Sequence, residues 1–204
     1  MLNGNDKAGI LHITNLLDQH FKIKNLGALT YFLGLEVACN SSGIHLSQRK
    51  YIIHLLHETG MHDYTPMPTP MAHSSQLSIT KGTPLTDEEA SAYCRLIGRL
   101  VYLTNTRPDI AFSVHNLSQC VSAPTSNHNQ VAFRILRYLK GNPGSGIFLS
   151  NNSSMHLKAY SDSDWATCPD SRKFVTDFSL FLGESLISWK SKKQQNISKS
   201  SSEA

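Results

Sequence analysis

The hydrophobic pattern of the chain changes at residues 141–144 (Gly-Asn-Pro-Gly), and this change most limits the folds open to it. Before this break, Thr86 and Glu89 have the spacing of a capping box, Pro108 suits the first turn of a second helix, and residues 131–139 predict a third. Strands are predicted after the break, over 146–149, 157–165, 174–182 and 186–190. Helices and strands in separate stretches predict an α+β fold.

The region before this helical part ends in a proline-rich stretch. Its predicted elements are a helix over 10–20, strands over 29–38 and 44–46 with a turn around Gly43, and a helix from the N-cap Ser47 to Gly60. Pro66, Pro68 and Pro70 then mark residues 64–84 as a linker or an extended crossing loop. The sequence therefore predicts a first domain boundary near residue 70.

Composition is typical of a globular protein in a reducing compartment. Hydrophobic residues make up 40% of the chain and charged residues 17%, and the four cysteines form no Cys-x-x-Cys pair. A leader sequence and a membrane-spanning apolar run are both absent, so we expect a soluble, intracellular protein without membrane contact. The net charge of +4 is compatible with a polyanionic partner.

Two acids lie inside a predicted strand, Asp162 and Asp164. Alternation along a strand points them to the same face, and Mg²⁺ prefers carboxylate oxygens while leaving positions for substrate phosphates. A solvated strand end that enters a turn explains the same acids without a metal. Glu203 also has two interpretations, because it either closes a capping box with Ser200 or adds a carboxylate to this site.

Basic residues cluster twice, once on one face of a predicted helix and once beside the strand acids. The helix cluster is Arg134, Arg137 and Lys140, and the strand cluster is Lys190, Lys192, Lys193 and Lys199. Each cluster suits phosphate contacts, although a solvated helix face or a lysine-guarded strand edge has the same pattern. Phe32-Leu33-Gly34 is a further candidate, because glycine in a strand marks either a close approach to a nucleic-acid strand or a bulge without function.

Five motifs resemble one family in their order along the chain. They are Tyr31-Phe32-Leu33-Gly34-Leu35-Glu36-Val37, Thr106-Arg107-Pro108-Asp109-Ile110, Leu136-Arg137-Tyr138-Leu139-Lys140-Gly141, Ser161-Asp162-Ser163-Asp164-Trp165-Ala166 and Ile187-Ser188-Trp189-Lys190-Ser191-Lys192-Lys193-Gln194. Together they resemble the C-terminal part of the reverse transcriptase of copia-type retrotransposons, followed by the start of its ribonuclease H domain.

The resemblance implies an arrangement of domains and roles for particular residues. Residues 1–70 would be the end of the polymerase palm, 71–145 a helical thumb and connection, and 146–204 a truncated ribonuclease H-like mixed sheet. Phe32, Leu33 and Gly34 would lie at the primer grip. Asp162 and Glu203 would be the catalytic carboxylates and the ligands of Mg²⁺. The implied partners are an RNA–DNA hybrid or DNA, together with the remainder of the Pol polyprotein.

The sequence departs from the family pattern in three respects. It contains no adjacent Asp-Asp pair, such as the family's polymerase site uses, and no acids downstream of Glu203. Residues 174–178 (Phe-Val-Thr-Asp-Phe) replace the small hydroxyl residues and the glycine of the family. We therefore expect an incomplete piece derived from an RNA-directed DNA polymerase and ribonuclease H, inactive alone. The alternative is a retained RNA–DNA hybrid-binding module without catalysis.

Overall fold

In the computed structural model the described residues are 6–24, 27–72, 77, 82–164 and 173–197, and the chain divides into two units, Met1–Thr30 and Tyr31–Ala204. The first unit contains helix α1 (Lys7–Phe21), which confirms the helix predicted over residues 10–20. Asp6 is its N-cap, because the backbone N–H of Gly9 donates to Asp6 Oδ1 at 2.9 Å.

The second unit contains helices and two antiparallel sheets, so the predicted α+β fold class is confirmed. Its helices are α2 (Arg49–Glu58), α3 (Asp87–Leu103), α4 (Ala111–Ser118) and α5 (Ser126–Gly141), with a 3-10 turn at Pro108–Ile110 before α4. Its strands are β1 (Tyr31–Phe32), β2 (Leu35–Asn40), β3 (Gly43–Ser47), β4 (Gly146–Ser150), β5 (Leu157–Asp164), β6 (Lys173–Leu182) and β7 (Ser185–Ile197). Within the described ranges, no helix combines the length and the apolar character needed to cross a bilayer.

The capping box predicted from Thr86 and Glu89 is confirmed at the start of α3. The backbone N–H of Thr86 donates to Glu89 Oε2 at 2.9 Å, and the backbone N–H of Glu89 donates to Thr86 Oγ1 at 3.4 Å. Two free donors of the first helical turn are thereby satisfied by neighbours three residues apart. Local spacing was therefore sufficient to place this helix start.

The predicted N-cap of α2, Ser47, is wrong. Ser47 is the last residue of β3, where it pairs with Glu36 and with Gly146, and Gln48 occupies the cap position without a side-chain hydrogen bond to the first turn of the helix. Glu36 Oε2 instead accepts the backbone N–H of Lys50 at 3.2 Å. The first turn of α2 is thus satisfied by a carboxylate from β2, which sequence spacing does not reveal.

The four-stranded sheet has the order β1-β2-β3-β4, and the three-stranded sheet has the order β5-β6-β7. The strand predicted over 146–149 is β4, and it pairs with β3, so the predicted domain boundary after residue 145 falls directly before a strand of the first sheet. Gly146 permits this pairing, because a Cβ there would lie 1.9 Å from the carbonyl oxygen of Leu46. The three later predicted strands form the second sheet.

The hydrophobic core of the second unit lies among α2, α3, α4 and α5. Each helix contributes fully buried side chains, among them Ile52, Leu100, Leu117, Ile135 and Leu139. Burying one such aliphatic side chain contributes about 1.5–3 kcal/mol. The helices therefore form the stable core of this unit, and the hairpin of β1 and β2 and the second sheet contact its surface.

Residues 64–72, here called the crossing segment, lie against α5. The backbone N–H of Met67 donates to the carbonyl oxygen of Arg137 at 3.2 Å, and Gly141 lies close to Pro66. Of the two predicted forms, a linker or an extended crossing loop, these residues adopt the crossing loop.

Candidate nucleic-acid interface

The β1–β2 hairpin projects three exposed apolar side chains. Tyr31 is 55% exposed, Phe32 is 40% exposed and Leu33 is 75% exposed. Phe32 pairs with Leu35, so Leu33 and Gly34 form a two-residue turn, and both have positive φ, at 48° and 83°. Positive φ at both positions is the requirement of a type I′ hairpin turn, and it is rare for a leucine. The strand predicted over 29–38 is therefore two strands that fold back at Leu33.

Tyr102 of α3 holds this turn. Its hydroxyl donates to the carbonyl oxygen of Leu33 at 2.5 Å, and its ring lies edge-on to the ring of Tyr51 with 5.0 Å between centroids. A Cβ at Gly34 would lie 2.1 Å from the Tyr102 hydroxyl oxygen, so the glycine is required for this approach. Helix α3 thus fixes the position of a turn that is far away in sequence.

A cation stands beside the exposed aromatic residues of the hairpin. Lys50 Nζ lies 5.5 Å from the centroid of the Tyr31 ring and 3.8 Å from Glu36 Oε1. Lys50 is exposed while Glu36 is half-buried, and such an ion pair at the surface contributes little to stability. An exposed ring next to a lysine can stack on a base while the ammonium group contacts a phosphate.

The predicted basic face of α5 exists, but the crossing segment occupies it. Arg134 Nε donates to the carbonyl oxygen of Thr69 at 3.1 Å, Arg137 Nε donates to that of Thr65 at 2.7 Å, and Lys140 Nζ donates to that of Tyr64 at 2.7 Å. These carbonyl acceptors are neutral, so the hydrogen bonds occupy donor groups of the three basic side chains without neutralising their positive charge. The three side chains are half-buried and hold the crossing segment on the helix.

Asp162 lies on β5 as predicted, and it faces an acid that no sequence motif indicated. Its Cα partner on β6 is Asp177, whose partner on β7 is Ser191, so the three residues form a row on one sheet face. Together with Pro108 and Phe112 they line a cleft of about 330 Å³. Asp177 could have been noticed as an acid inside a predicted strand, within the segment that departs from the family pattern.

The side chains of this row do not form a complete metal site by themselves. Across the described residues, no group of three or more His, Cys, Asp or Glu side chains could hold a metal ion. Glu203, the predicted partner of Asp162, lies outside the described residues. Mg²⁺ requires a near-octahedral set of oxygen ligands, and Asp162 with Asp177 supplies only part of one. The magnesium site that the resemblance implies therefore stays a prediction, with Asp162 as the member of it that the structure describes.

The predicted lysine cluster is divided between the two faces of the second sheet. Lys190 and Lys192 are exposed and alternate with buried Ser191, whereas half-buried Lys193 shares the face of Ser191 and Asp177. Two lysines therefore project from the face opposite to Asp162. The structure does not gather these three lysines around the strand acids, and Lys199 lies outside the described residues.

Two hydrogen bonds attach the acid-bearing face to the helices. Trp189 Nε1 donates to the carbonyl oxygen of Thr104 at 2.9 Å, and the backbone N–H of Lys193 donates to His115 Nε2 at 3.0 Å. Burial lowers the pKa of His115, Lys193 and Lys190 act in the same direction, and Asp177 opposes them. A neutral imidazole is thereby favoured, which the bond to Nε2 requires.

Comparisons with known proteins show which family the sequence is similar to. Residues 1–73 match the family described as reverse transcriptase (RNA-dependent DNA polymerase). The chain is 44% identical over 204 residues to the retrovirus-related Pol polyprotein from transposon RE1 of Arabidopsis thaliana, covering 100% of the chain and 14% of that polyprotein. It is 34% identical over 212 residues to the Pol polyprotein from transposon TNT 1-94 of Nicotiana tabacum, covering 100% of the chain and 16% of that polyprotein.

A shorter relative is covered over most of its length. An uncharacterized mitochondrial protein of Arabidopsis thaliana is 36% identical over 203 residues, which is 100% of this chain and 83% of that protein. No solved structure matches the chain. Matches therefore come both from long Pol polyproteins, of which this chain spans about a seventh, and from a protein of similar length.

Proposed function

The chain belongs to the reverse transcriptase-bearing Pol polyproteins of copia-type retrotransposons, and from this we propose that it holds the primer end of an RNA–DNA hybrid rather than catalysing synthesis. The observation that carries the proposal is the β1–β2 hairpin, whose exposed tip is fixed by the hydrogen bond from Tyr102 to Leu33. A rigid tip of exposed rings beside a lysine is suited to a nucleic-acid strand end.

We further propose the three parts that the resemblance implies. Residues 1–70 act as the end of the palm with its primer-grip hairpin, 71–145 as the thumb and connection, and 146–204 as a ribonuclease H-like region. The packed helices α3, α4 and α5 support the second assignment, and the antiparallel sheet β5-β6-β7 supports the third. Because β4 pairs with β3 of the first sheet, we propose that the third part begins after β4, slightly later than residue 146.

The chemistry of phosphoryl transfer is proposed to come from other parts of the polyprotein. The 204 residues include no adjacent pair of aspartates, and the metal ions that such carboxylates hold supply much of the electrostatic stabilisation in these reactions. On the second sheet, Asp162 and Asp177 provide two carboxylates on one face. We therefore expect neither DNA synthesis nor cleavage of the RNA strand by this chain alone.

Binding to a hybrid with a recessed DNA 3′ end tests the proposed role. We expect Tyr31→Ala to weaken binding by about fivefold or more, because stacking on an aromatic side chain contributes about 1–3 kcal/mol per base. Tyr64→Ala is the matched control, since Tyr64 is similarly exposed, at 52%, but lies on the crossing segment. Fluorescence anisotropy measures both affinities, and equal losses from the two variants would refute the assignment to the hairpin.

A second candidate function is a hybrid-binding module that uses the basic face of α5. The observation in its favour is that Arg137 and Lys140 bond only to neutral carbonyl oxygens in the contacts described above, so their charge persists. This module predicts that changing both residues to Gln weakens binding equally for blunt and recessed hybrids and reduces the dependence of affinity on salt. The primer-end role instead predicts a preference for the recessed hybrid.

A further inference from the structure

We propose that Tyr102 is a positioning residue for the primer end, acting through the carbonyl group of Leu33. Its hydroxyl sets where the hairpin tip stands relative to the helical part of the chain. This inference rests on the proposed function of the hairpin and adds the residue that controls it. Tyr102 itself lies behind the turn and does not stack on the nucleic acid.

The hairpin requires support from outside its own strands. Strand β1 has only two residues, lies at the edge of its sheet, and makes two cross-strand pairs with β2. Short two-stranded ribbons are marginally stable in water. The side chain of Leu33 points away from the protein, at 75% exposed, so it does not anchor the turn. The hydrogen bond from Tyr102 supplies that anchor.

The anchor is itself firmly held. Tyr102 lies in the last turn of α3 between Leu100 and Leu103, both of which are fully buried in the core. The edge-on contact with Tyr51 of α2 fixes the ring from a second side. Any displacement of the C-terminal end of α3 therefore moves the hairpin tip with it. This connection couples the helical region to the position of the bound strand end.

Gly34 leaves room for the Tyr102 hydroxyl group, and this allows a direct test of the contact between Tyr102 and the turn. A Cβ at residue 34 would lie 2.1 Å from the hydroxyl oxygen but 3.3 Å from Cζ, the ring carbon that carries it. Removing the oxygen by Tyr102→Phe therefore relieves most of the clash introduced by Gly34→Ala. The backbone strain of alanine at φ +83° is the same in both backgrounds, so it cancels in a double-mutant cycle.

The experiment uses the whole chain and an RNA template annealed to a DNA primer with a recessed 3′ end, with 2-aminopurine as the terminal primer nucleotide. We expect Tyr102→Phe to weaken binding by about three- to tenfold, the usual range for losing one hydrogen bond. We also expect a changed 2-aminopurine emission in the residual complex, because the strand end is no longer held in one position. Tyr51→Phe is the matched control, because it keeps the ring pair and the Leu33 contact.

The cycle gives a second, independent readout. Gly34→Ala should weaken binding strongly in the unmodified background and clearly less in the Tyr102→Phe background. Equal effects of Gly34→Ala in both backgrounds, or equal behaviour of Tyr102→Phe and Tyr51→Phe, would overturn this inference while Tyr31-dependent binding still supported the proposed function. No binding of the hybrid by the unmodified chain would overturn both.

Discussion

The guanidinium group of Arg107 donates three hydrogen bonds to the carboxylate of Asp109, at 2.7–3.2 Å, from a side chain that is only 2% exposed. Its Nη1 also donates to the carbonyl oxygen of Asn142 at 2.9 Å, and Tyr138 donates to the same carboxylate. The family motif that contains Arg107 therefore joins the 3-10 turn before α4 to the end of α5. Its role in this fold is structural.

Replacing Arg107 tests this role. We expect Arg107→Ala to lower the free energy of unfolding by about 2 kcal/mol, because it removes a fully buried side chain together with its hydrogen bonds to the partly exposed Asp109 carboxylate and to Asn142. Urea unfolding followed by circular dichroism measures the change. Arg95→Ala, on the exposed face of α3, should change stability by less than about 0.5 kcal/mol. A similar effect from the two substitutions would contradict the structural role.

The contact between His115 and Lys193 predicts a loss of stability in mild acid. Because the pKa of His115 is lowered in the folded chain, the unfolded chain binds the proton first as pH falls. Stability is therefore full above about pH 6.5, the ordinary histidine pKa, and decreases below it until folded His115 is protonated. His115→Gln keeps an acceptor for the Lys193 N–H and should flatten this dependence.

Trp189 reports on the same contact, since its indole bonds to Thr104. In a Trp165→Phe background, its fluorescence should shift between pH 7.5 and 5.5 in the unmodified sequence but not with His115→Gln. His54→Gln, at an exposed position on α2, should leave the shift unchanged. If the His115→Gln variant shows the same shift, His115 does not cause it, and the prediction is contradicted. The charged groups that face the imidazole, Asp177, Lys190 and Lys193, would then not influence Trp189 by way of His115.

Asp162 and Asp177 should destabilise the second sheet, because like charges directly opposite each other across two strands repel. We expect Asp162→Asn and Asp177→Asn each to raise the free energy of unfolding by about 0.2–1 kcal/mol. The double variant should gain little beyond either single variant, since one change already removes the repulsion. Additive gains, measured by urea unfolding, would mean that the two carboxylates do not interact.

Local sequence patterns predicted the helices and strands of this fold better than they predicted the contacts between them. The Thr86–Glu89 capping box and the three strands of the second sheet depend on neighbours in sequence, so spacing sufficed. The predicted N-cap of α2 was wrong because the acceptor for the backbone N–H of Lys50 is Glu36, which lies on β2 rather than next to the helix start.

For the candidate site as well, the sequence predicted the elements that carry residues but not the contacts between distant segments. Sequence placed Asp162 on a strand and Arg137 on a basic helix face. It could not show that Asp177 stands opposite Asp162 or that Thr65 accepts from Arg137, because both contacts depend on how distant segments pack. The contact of Tyr102 with Leu33 spans 69 residues, and no spacing rule predicts it.

Photocrosslinking from the primer terminus tests the central claim most directly. A hybrid whose recessed DNA primer ends in 4-thiothymidine is bound to the whole chain, irradiated and digested with trypsin, which cleaves after Lys24 and Arg49. We predict that the adduct maps to the peptide of residues 25–49, at Tyr31, Phe32 or Leu33. An adduct confined to peptides from α5 or β7 would contradict the assignment of the hairpin as the primer-end contact.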